Sequence, residues 1–394
     1  MRASNKERIR LNLRKLHEEL RIAVIFGGDK NKEGSVINRT TNPRSDKTYE
    51  YVADDIVASL KKIGYRNVVK LPEDMNLGSE LVKRDIDICW LNTGGTQGNG
   101  SCMHAPSLLE MLGVPYVGHS PLNAGLLDSK HVFKSILVSM GVETAKFLVF
   151  DPSVEKSDVQ MLQRIEEAFA GYDGSYIAKP VSGRASQHVH HVESKEDLVA
   201  TIRLINGITH GQVMVEKYLA GREYAMACIG PMLCRDNELI DNHEPLAFSG
   251  VERKLDDDEK IFTSMDVKKI SNDRVVLLHP SIHTDVWNRM ADVCTRIFAE
   301  MNLSTGIRVD FRADSEGNIH VLEANPKPDL KRPTDSQISL VCAGLPQFDM
   351  DYEDLIQSML LNKIHSLLTY QPLMAPKLVA LLRSEAPQPL SLVA

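Results

Sequence analysis

The stretch from Gly306 to Pro328, GIRVDFRADSEGNIHVLEANPKP, constrains this chain more than any other. Ile307, Val309 and Phe311 alternate with polar residues, as do Ile319 and Val321 ahead of a carboxylate, and Asp314-Ser315-Glu316-Gly317-Asn318 carries turn chemistry. The pattern predicts a β-hairpin. Asp310 falls on its first strand, while Glu323 and Asn325, two apart on the second, project from one face. Two carboxylates and an amide oxygen are hard ligands that suit Mg²⁺ or Mn²⁺ shared with nucleotide phosphates, whereas zinc favours nitrogen and sulfur. The same residues also read as a solvated acidic surface hairpin, so the rest of the chain decides between the two.

At 394 residues the chain exceeds one ordinary core, and two or three domains are expected. Its hydrophobic fraction of 43% and charged fraction of 25% are those of a globular protein, and a net charge of −7 gives no reason to expect a nucleic-acid partner. No apolar run approaches the roughly 20 residues needed to cross a bilayer, and the polar start MRASNKERIR is unlike a signal peptide. The expectation is a cytoplasmic protein with no membrane partner. The six cysteines lack any metal-finger or CxxC spacing and read as reduced, mostly buried hydrophobes, with a Cys228–Cys234 disulfide as the minor alternative.

Arg2 to Leu20 predicts one basic helix with Ile9, Leu13, Leu16 and Leu20 as a partial stripe, packed on the body or on a second subunit, or left in solvent. Arg21 to Phe26 predicts a fully buried strand ending in Gly27-Gly28, followed by a polar loop from Asp29 to Ser45. A helix from Tyr49 to Ile63, capped by Ser45 or Asp46 and stopped at Gly64, leads to a second strand, Ile86 to Leu91, and the glycine-rich Asn92 to Gly100. That order predicts a parallel α/β sheet with its ligand at the carboxyl end. The glycine loop either holds an anion on its amides or uses glycine only for its dihedrals.

Asp128-Ser129-Lys130 caps and opens a helix through Met140, and Phe147 to Phe150 is a strand. Tyr176-Ile-Ala-Lys179-Pro180 puts a lysine at the end of an apolar strand, followed by the small-residue loop 181–186, an arrangement that covers phosphates or merely snorkels to water. Gln212 to Tyr224 pairs a strand with a loop whose backbone suits a flat adenine edge and whose later carboxylate suits ribose hydroxyls. Helices are expected from Thr284 to Met301, with Val286, Met290, Val293, Ile297 and Met301 inward, and from Tyr352 to Leu368. Beyond about Leu382 a tail is expected.

In this order, IAVIFGG, LNTGGTQGNG, LLDSKHVFKSIL, YIAKPVSGRAS, MVEKYLAGREY, GIRVDF and VLEANPKP resemble the ATP-grasp ligases, and most of all the D-alanine–D-alanine ligases, from about Arg21 to Leu368. The resemblance implies an α/β and α+β protein, an ATP-grasp fold behind an amino-terminal parallel α/β (pre-ATP-grasp) domain. Its parts would be residues 1–125, a central subdomain 126–215, a carboxy-terminal domain 216–381 and a tail 382–394. It implies an ADP-forming, ATP-dependent ligase that phosphorylates a small-molecule carboxylate and lets an amino-acid amine attack, in a chain that is a homodimer.

Carried over residue by residue, Lys130 and Lys179 contact ATP, Glu216 and the backbone of Lys217, Tyr218 and Leu219 hold adenine, and Glu223 holds ribose. Lys268 or Lys269 meets phosphate, and Asp310, Glu323 and Asn325 bind Mg²⁺ or Mn²⁺. Arg308 and Lys179 steady the transferring group beside Ser186, which remains of the family's serine-rich phosphate loop.

The departures lie on the substrate side. Where the family has a glutamate after the first glycines, this chain has the long Asp29 to Asp46 insertion and no obvious equivalent; Asn92 stands where the family has histidine, and His188, His190 and His191 follow Arg184 beyond the phosphate loop. The cations Lys327, Lys331 and Arg332 beyond the metal ligands point to a more anionic substrate than a D-alanine pair. They fit specialised metabolism, for example coupling an amino acid to mycosporine-glycine. The alternatives are a D-alanine–D-alanine ligase proper and a non-catalytic ATP-binding protein.

Overall fold

The computed structural model describes residues 4–29, 31–32, 35, 48–98, 100–183, 186–236, 238–256, 259–261, 272–334 and 339–382. The Asp29 to Ser45 loop falls almost wholly outside them, and Ser45, Asp46, Arg184, Lys268, Lys269 and the tail beyond Leu382 fall entirely outside.

The leader is two helices rather than the one expected, α1 (Asn5–Leu11) and α2 (Leu13–Glu19). Asn12 breaks them, because its side-chain amide donates to the Arg8 carbonyl at 2.8 Å and competes with the helical ladder. Ile9, Leu16 and Leu20 are fully buried in the same core as the long carboxy-terminal helix, so the leader packs on the body.

Next come β1 (Arg21–Phe26), α3 (Glu50–Ile63), β2 (Asn67–Pro72), α4 (Leu77–Lys83), β3 (Ile88–Asn92), α5 (His104–Leu112), β4 (Tyr116–Val117), α6 (Pro121–Asp128) and α7 (Lys130–Ser139). The four strands form a parallel sheet in the order β2-β1-β3-β4. β1 is apolar on both faces, as a central parallel strand must be. Tyr49, in the left-handed region, stands at the N-cap of α3, and Gly64 ends it as expected. At the carboxyl end of β1, Gly28 has φ +64 and a Cβ there would lie 3.1 Å from that of Pro72, so glycine lets the exits of β1 and β2 pass each other.

The middle of the chain builds β5 (Phe147–Phe150), α8 (Asp158–Ala168), β6 (Tyr176–Pro180), β7 (His190–Val192), α9 (Leu198–Thr209) and β8 (Val213–Lys217). The strands form an antiparallel sheet, β5-β8-β6-β7. Met161 and Ile165 of α8 and Ile202 and Ile205 of α9 share one core with Ala178, Val213 and Val215 of the sheet.

The remainder builds β9 (Glu223–Ile229), β10 (Met232–Arg235), β11 (Glu238–Asp241), β12 (Leu246–Arg253), β13 (Val275–Leu277), α10 (Thr284–Glu300), β14 (Ile307–Ala313), β15 (Ile319–Asn325), α11 (Tyr352–Tyr370) and α12 (Pro376–Leu381). Five strands form an antiparallel sheet in the order β13-β12-β9-β14-β15, and β10 and β11 make a separate ribbon. The buried face of α10 is Trp287, Met290, Cys294, Ile297 and Phe298, turned from the expected one; Val286, Val293 and Met301 are only partly buried against the same core. Stacking of Trp287 on Phe348 draws the helix round. α11 is buried on nearly every side and shares one core with β1, α3 and the leader.

The loop from β8 to β9 is pinned to the late hairpin at Gly221, whose amide donates to Ala313 O at 2.9 Å. A Cβ there would sit 2.5 Å from the Asp314 carbonyl oxygen and 2.7 Å from that of Ala313. Gly221→Ala is expected to lower stability by about 1–3 kcal/mol in urea unfolding; a midpoint equal to the wild type's would show that the two loops are not locked.

Candidate active site

In the hairpin, Asp310 is paired with Glu323 and Arg308 with Asn325, with an irregularity between Asp310 and Phe311. All four therefore lie on two rungs of one ladder, with only the Val309–Ala324 pair between them. The Asp310 carboxylate is buried and accepts from Arg308 Nε at 2.7 Å and from a terminal nitrogen of the same guanidinium at 3.0 Å. Arg253 of β12 reaches it at 3.5 Å and the Asn325 amide at 3.3 Å. Burial pushes this carboxyl up, but Arg308 and Arg253 outweigh burial and hold it below the usual range. Glu323 is about one-third exposed and lies 3.3 Å from Lys130 Nζ, which also donates to Gly183 O at 2.6 Å.

Across the pocket, Glu216 of β8 is buried between two ammonium groups. Lys179 of β6 pairs with one oxygen and Lys134 of α7 lies 2.8 Å from the other. Burial raises the Glu216 carboxyl, yet the two lysines prevail and bring it down to about 2. Lys134 is fully buried, and burial pulls its ammonium below the usual lysine value despite Glu216.

Glu223, at the start of β9, is held by Arg253 on one oxygen and by Arg312 on the other at 3.1 Å. Arg312 lies over the Tyr218 ring, 4.8 Å from its centre, and donates to the Tyr218 hydroxyl at 2.9 Å. The amides of Lys217 and Tyr218 donate to the carbonyls of Lys146 and Ser175. Ser186 has φ +53 and, like Gly183, lines the pocket.

One pocket gathers these groups. Lys130, Lys179, Ser186, Glu216, Lys217, Tyr218, Leu219, Glu223, Asp310 and Glu323 all line it. Arg308 and Asn325 do not line it, but both bond to Asp310, which does. Lys268 and Lys269 lie outside the described residues.

Sequence reasoning missed Lys134, Arg253 and Arg312. Lys134 is one helical turn from Lys130, and Arg312 alternates with Asp310 and Arg308 on one strand, so both carried a periodic signal. Arg253, reached through a different strand, carried none.

The donor set fits a hard divalent cation: two carboxylates, one of them kept anionic by its neighbours, beside an amide. Among the described residues no group of three or more His, Cys, Asp or Glu is arranged to hold a metal. The histidine run is not such a site; His191 bonds Ser175 Oγ at 2.8 Å and stands edge-on to Tyr218. Cys228 and Cys234 are reduced, as are the other four cysteines. No helix among the described residues is long and apolar enough to cross a membrane.

Solved structures with this architecture include the D-alanine–D-alanine ligase from Bacillus anthracis complexed with ATP, with a TM-score of 0.62 at 19% identity, over 88% of this chain and 97% of that one. The D-alanyl-alanine synthetase A from Vibrio cholerae superposes with a TM-score of 0.63 at 16% identity, over 88% and 98%. The fold is therefore ATP-grasp, the class in which a nucleotide is gripped between two α+β units.

The family model for the D-ala D-ala ligase C-terminus matches residues 136–361, and the chain belongs to that family. As a member it is an ADP-forming, ATP-dependent ligase that uses Mg²⁺. A D-alanine–D-alanine ligase from Carboxydothermus hydrogenoformans is 24% identical over 347 residues, 87% of this chain and 97% of the relative. An uncharacterized protein, y4sG, from Sinorhizobium fredii is 25% identical over 338 residues, 82% and 93% of the two chains.

Proposed function

We propose that this pocket holds Mg-ATP between the β5-β8-β6-β7 sheet and the β14-β15 hairpin, and that the chain joins a small carboxylic acid to an amino-acid amine through an acylphosphate. The observation that carries the reading is that Lys179, Glu323 and Asp310, from three strands of two sheets, line one cavity. A carboxylate oxygen of the first substrate attacks the γ-phosphorus and ADP leaves. The amine nitrogen of the second substrate then attacks the acyl carbon, loses a proton, and inorganic phosphate departs.

Two anions meet in the first step, so cations have to offset their repulsion. Lys130 and Lys179 do this at the phosphates, and Arg308 at the oxyanion of the acyl group. Asp310, Glu323 and Asn325 would hold Mg²⁺, which neutralises charge on the phosphates when bound. Since the Lys217 and Tyr218 amides are engaged elsewhere, the adenine edge meets the Leu219 amide and the carbonyls of this segment. Glu223, fixed by its two arginines, keeps lone pairs for ribose hydroxyls.

On the acceptor side the cations are fewer in effect than in the sequence. Lys331 pairs with Asp329 at 3.0 Å and Arg332 with Glu353, while Lys327 lies 3.6 Å from the centre of the Tyr49 ring and 3.4 Å from Asn92 Oδ1. The local charge is thus largely balanced, which supports substrates of ordinary amino-acid charge as readily as a more anionic one. The test is ADP release with pairs drawn from D- and L-amino acids and mycosporine-glycine, with product masses recorded. ADP should appear only when both carboxylate and amine are present. Release that ignores the amine, or ATP binding with no release for any pair, would overturn the ligase reading.

A further inference from the structure

Unlike Lys130 and Lys179, Lys134 does not line the pocket, and its neighbours explain why an ammonium is buried there at all. A charge taken wholly out of water is costly unless every partner is in place. Lys134 has them: Glu216 at 2.8 Å and the Thr144 hydroxyl oxygen, which accepts its proton at 2.6 Å. Thr144 in turn donates to the carbonyl of Val321 on β15 at 2.7 Å, and the Val321 amide donates to Glu143 O at 2.9 Å. The contacts run from Lys179 through Glu216, Lys134 and Thr144 to the strand that carries Glu323 two residues later. One turn earlier on α7, Lys130 makes a parallel bridge from Gly183 to Glu323.

We propose that Lys134 is a positioning residue for the nucleotide: by taking a share of the Glu216 carboxylate it keeps Lys179 available to phosphate, and through Thr144 it ties that lysine to the metal-binding hairpin. The inference rests on the reading that Lys179 faces the phosphates of ATP. Glu216 facing Lys179 alone would form a closed, neutral buried pair and draw the ammonium away from the cavity. With two lysines on one carboxylate the group keeps a net positive charge, and Lys179, at the pocket wall, is where that charge is expressed. The burial-lowered affinity of Lys134 for its proton is the cost of that arrangement.

The test is calorimetric titration of the full chain with MgATP and, separately, AMP, which lacks the outer phosphates. Lys134→Met is expected to weaken MgATP about tenfold while AMP stays within about twofold. Adding Glu216→Gln should restore most of the loss, because the competing carboxylate is gone. Unchanged MgATP affinity in K134M, or AMP weakened in parallel, would overturn the proposal. Should K134M not fold, E216Q and K134M/E216Q are compared; equal MgATP affinity supports the proposal and a tenfold gap overturns it. A wild-type chain that binds AMP and MgATP equally would instead remove the phosphate role of Lys179 on which the inference stands.

Discussion

Glu323→Gln is expected to reduce ADP formation about a thousandfold while leaving the protein folded, on the scale of losing one charge-stabilising group in a phosphoryl-transfer site. The separation of the two effects follows from the surroundings. Glu323 is about one-third exposed and its neighbour Lys130 keeps a second contact at Gly183, so the glutamine variant leaves no charge stranded in the core. The stability change should fall within about 1 kcal/mol, as for other exposed pairs. Asp310 offers no such clean experiment, since its carboxylate anchors Arg308 and Arg253 in the interior. The check is turnover and urea unfolding on one preparation, with Mg²⁺ varied. A raised Mg²⁺ requirement supports ligation by Glu323. Turnover within tenfold of wild type at ordinary Mg²⁺ would remove that residue from the metal site.

What could be read from the sequence was whatever is local along the chain. β5 and β6 coincide with their expected bounds because short apolar runs between turns leave few other conformations. The hairpin was legible for the same reason: Arg308, Asp310, Glu323 and Asn325 are brought together by one turn and a period of two. β2 went unseen because it is an edge strand whose burial is patchy and whose interior holds Lys70. α4 and α6 are short and give only one or two turns of pattern. The N-cap of α3 was placed too early because Tyr49 takes a left-handed backbone there, a choice no capping pattern announces. α11 has buried residues all round because elements far apart in sequence converge on it, which a single-face reading cannot foresee.

The same division runs through the site. The resemblance assigns Glu216 to adenine, yet its partners are a lysine on β6 and a lysine on α7, 37 and 82 positions away in the numbering. The charges of Lys331 and Arg332 counted toward an anionic substrate until Asp329 and Glu353 were found beside them. In both cases the residue type was visible and the electrostatic balance was not, because balance is a property of three-dimensional neighbours.

Lys179→Met should differ from E323Q in costing both catalysis and stability, with a pH dependence that reports the cause. Turnover is expected to fall about a thousandfold, since the transferring phosphate loses an ammonium held in a largely desolvated site. Stability at neutral pH should fall by about 2 kcal/mol, less than for a buried carboxylate left with no partner, because Lys134 still faces Glu216. Glu216 sits at about 2 in the folded protein against an ordinary value of 4.5. A carboxyl depressed on folding contributes its stability above pH 4.5 and loses it as the pH falls toward 2. Without the Lys179 charge the depression shrinks, so the variant has less of this contribution to lose. The stability gap between wild type and K179M should therefore narrow between pH 4.5 and pH 2, in urea unfolding followed across that window. A gap of constant size down to pH 2 would mean that Lys179 supports the fold by packing its aliphatic stem, and that its ammonium is not what keeps Glu216 ionised.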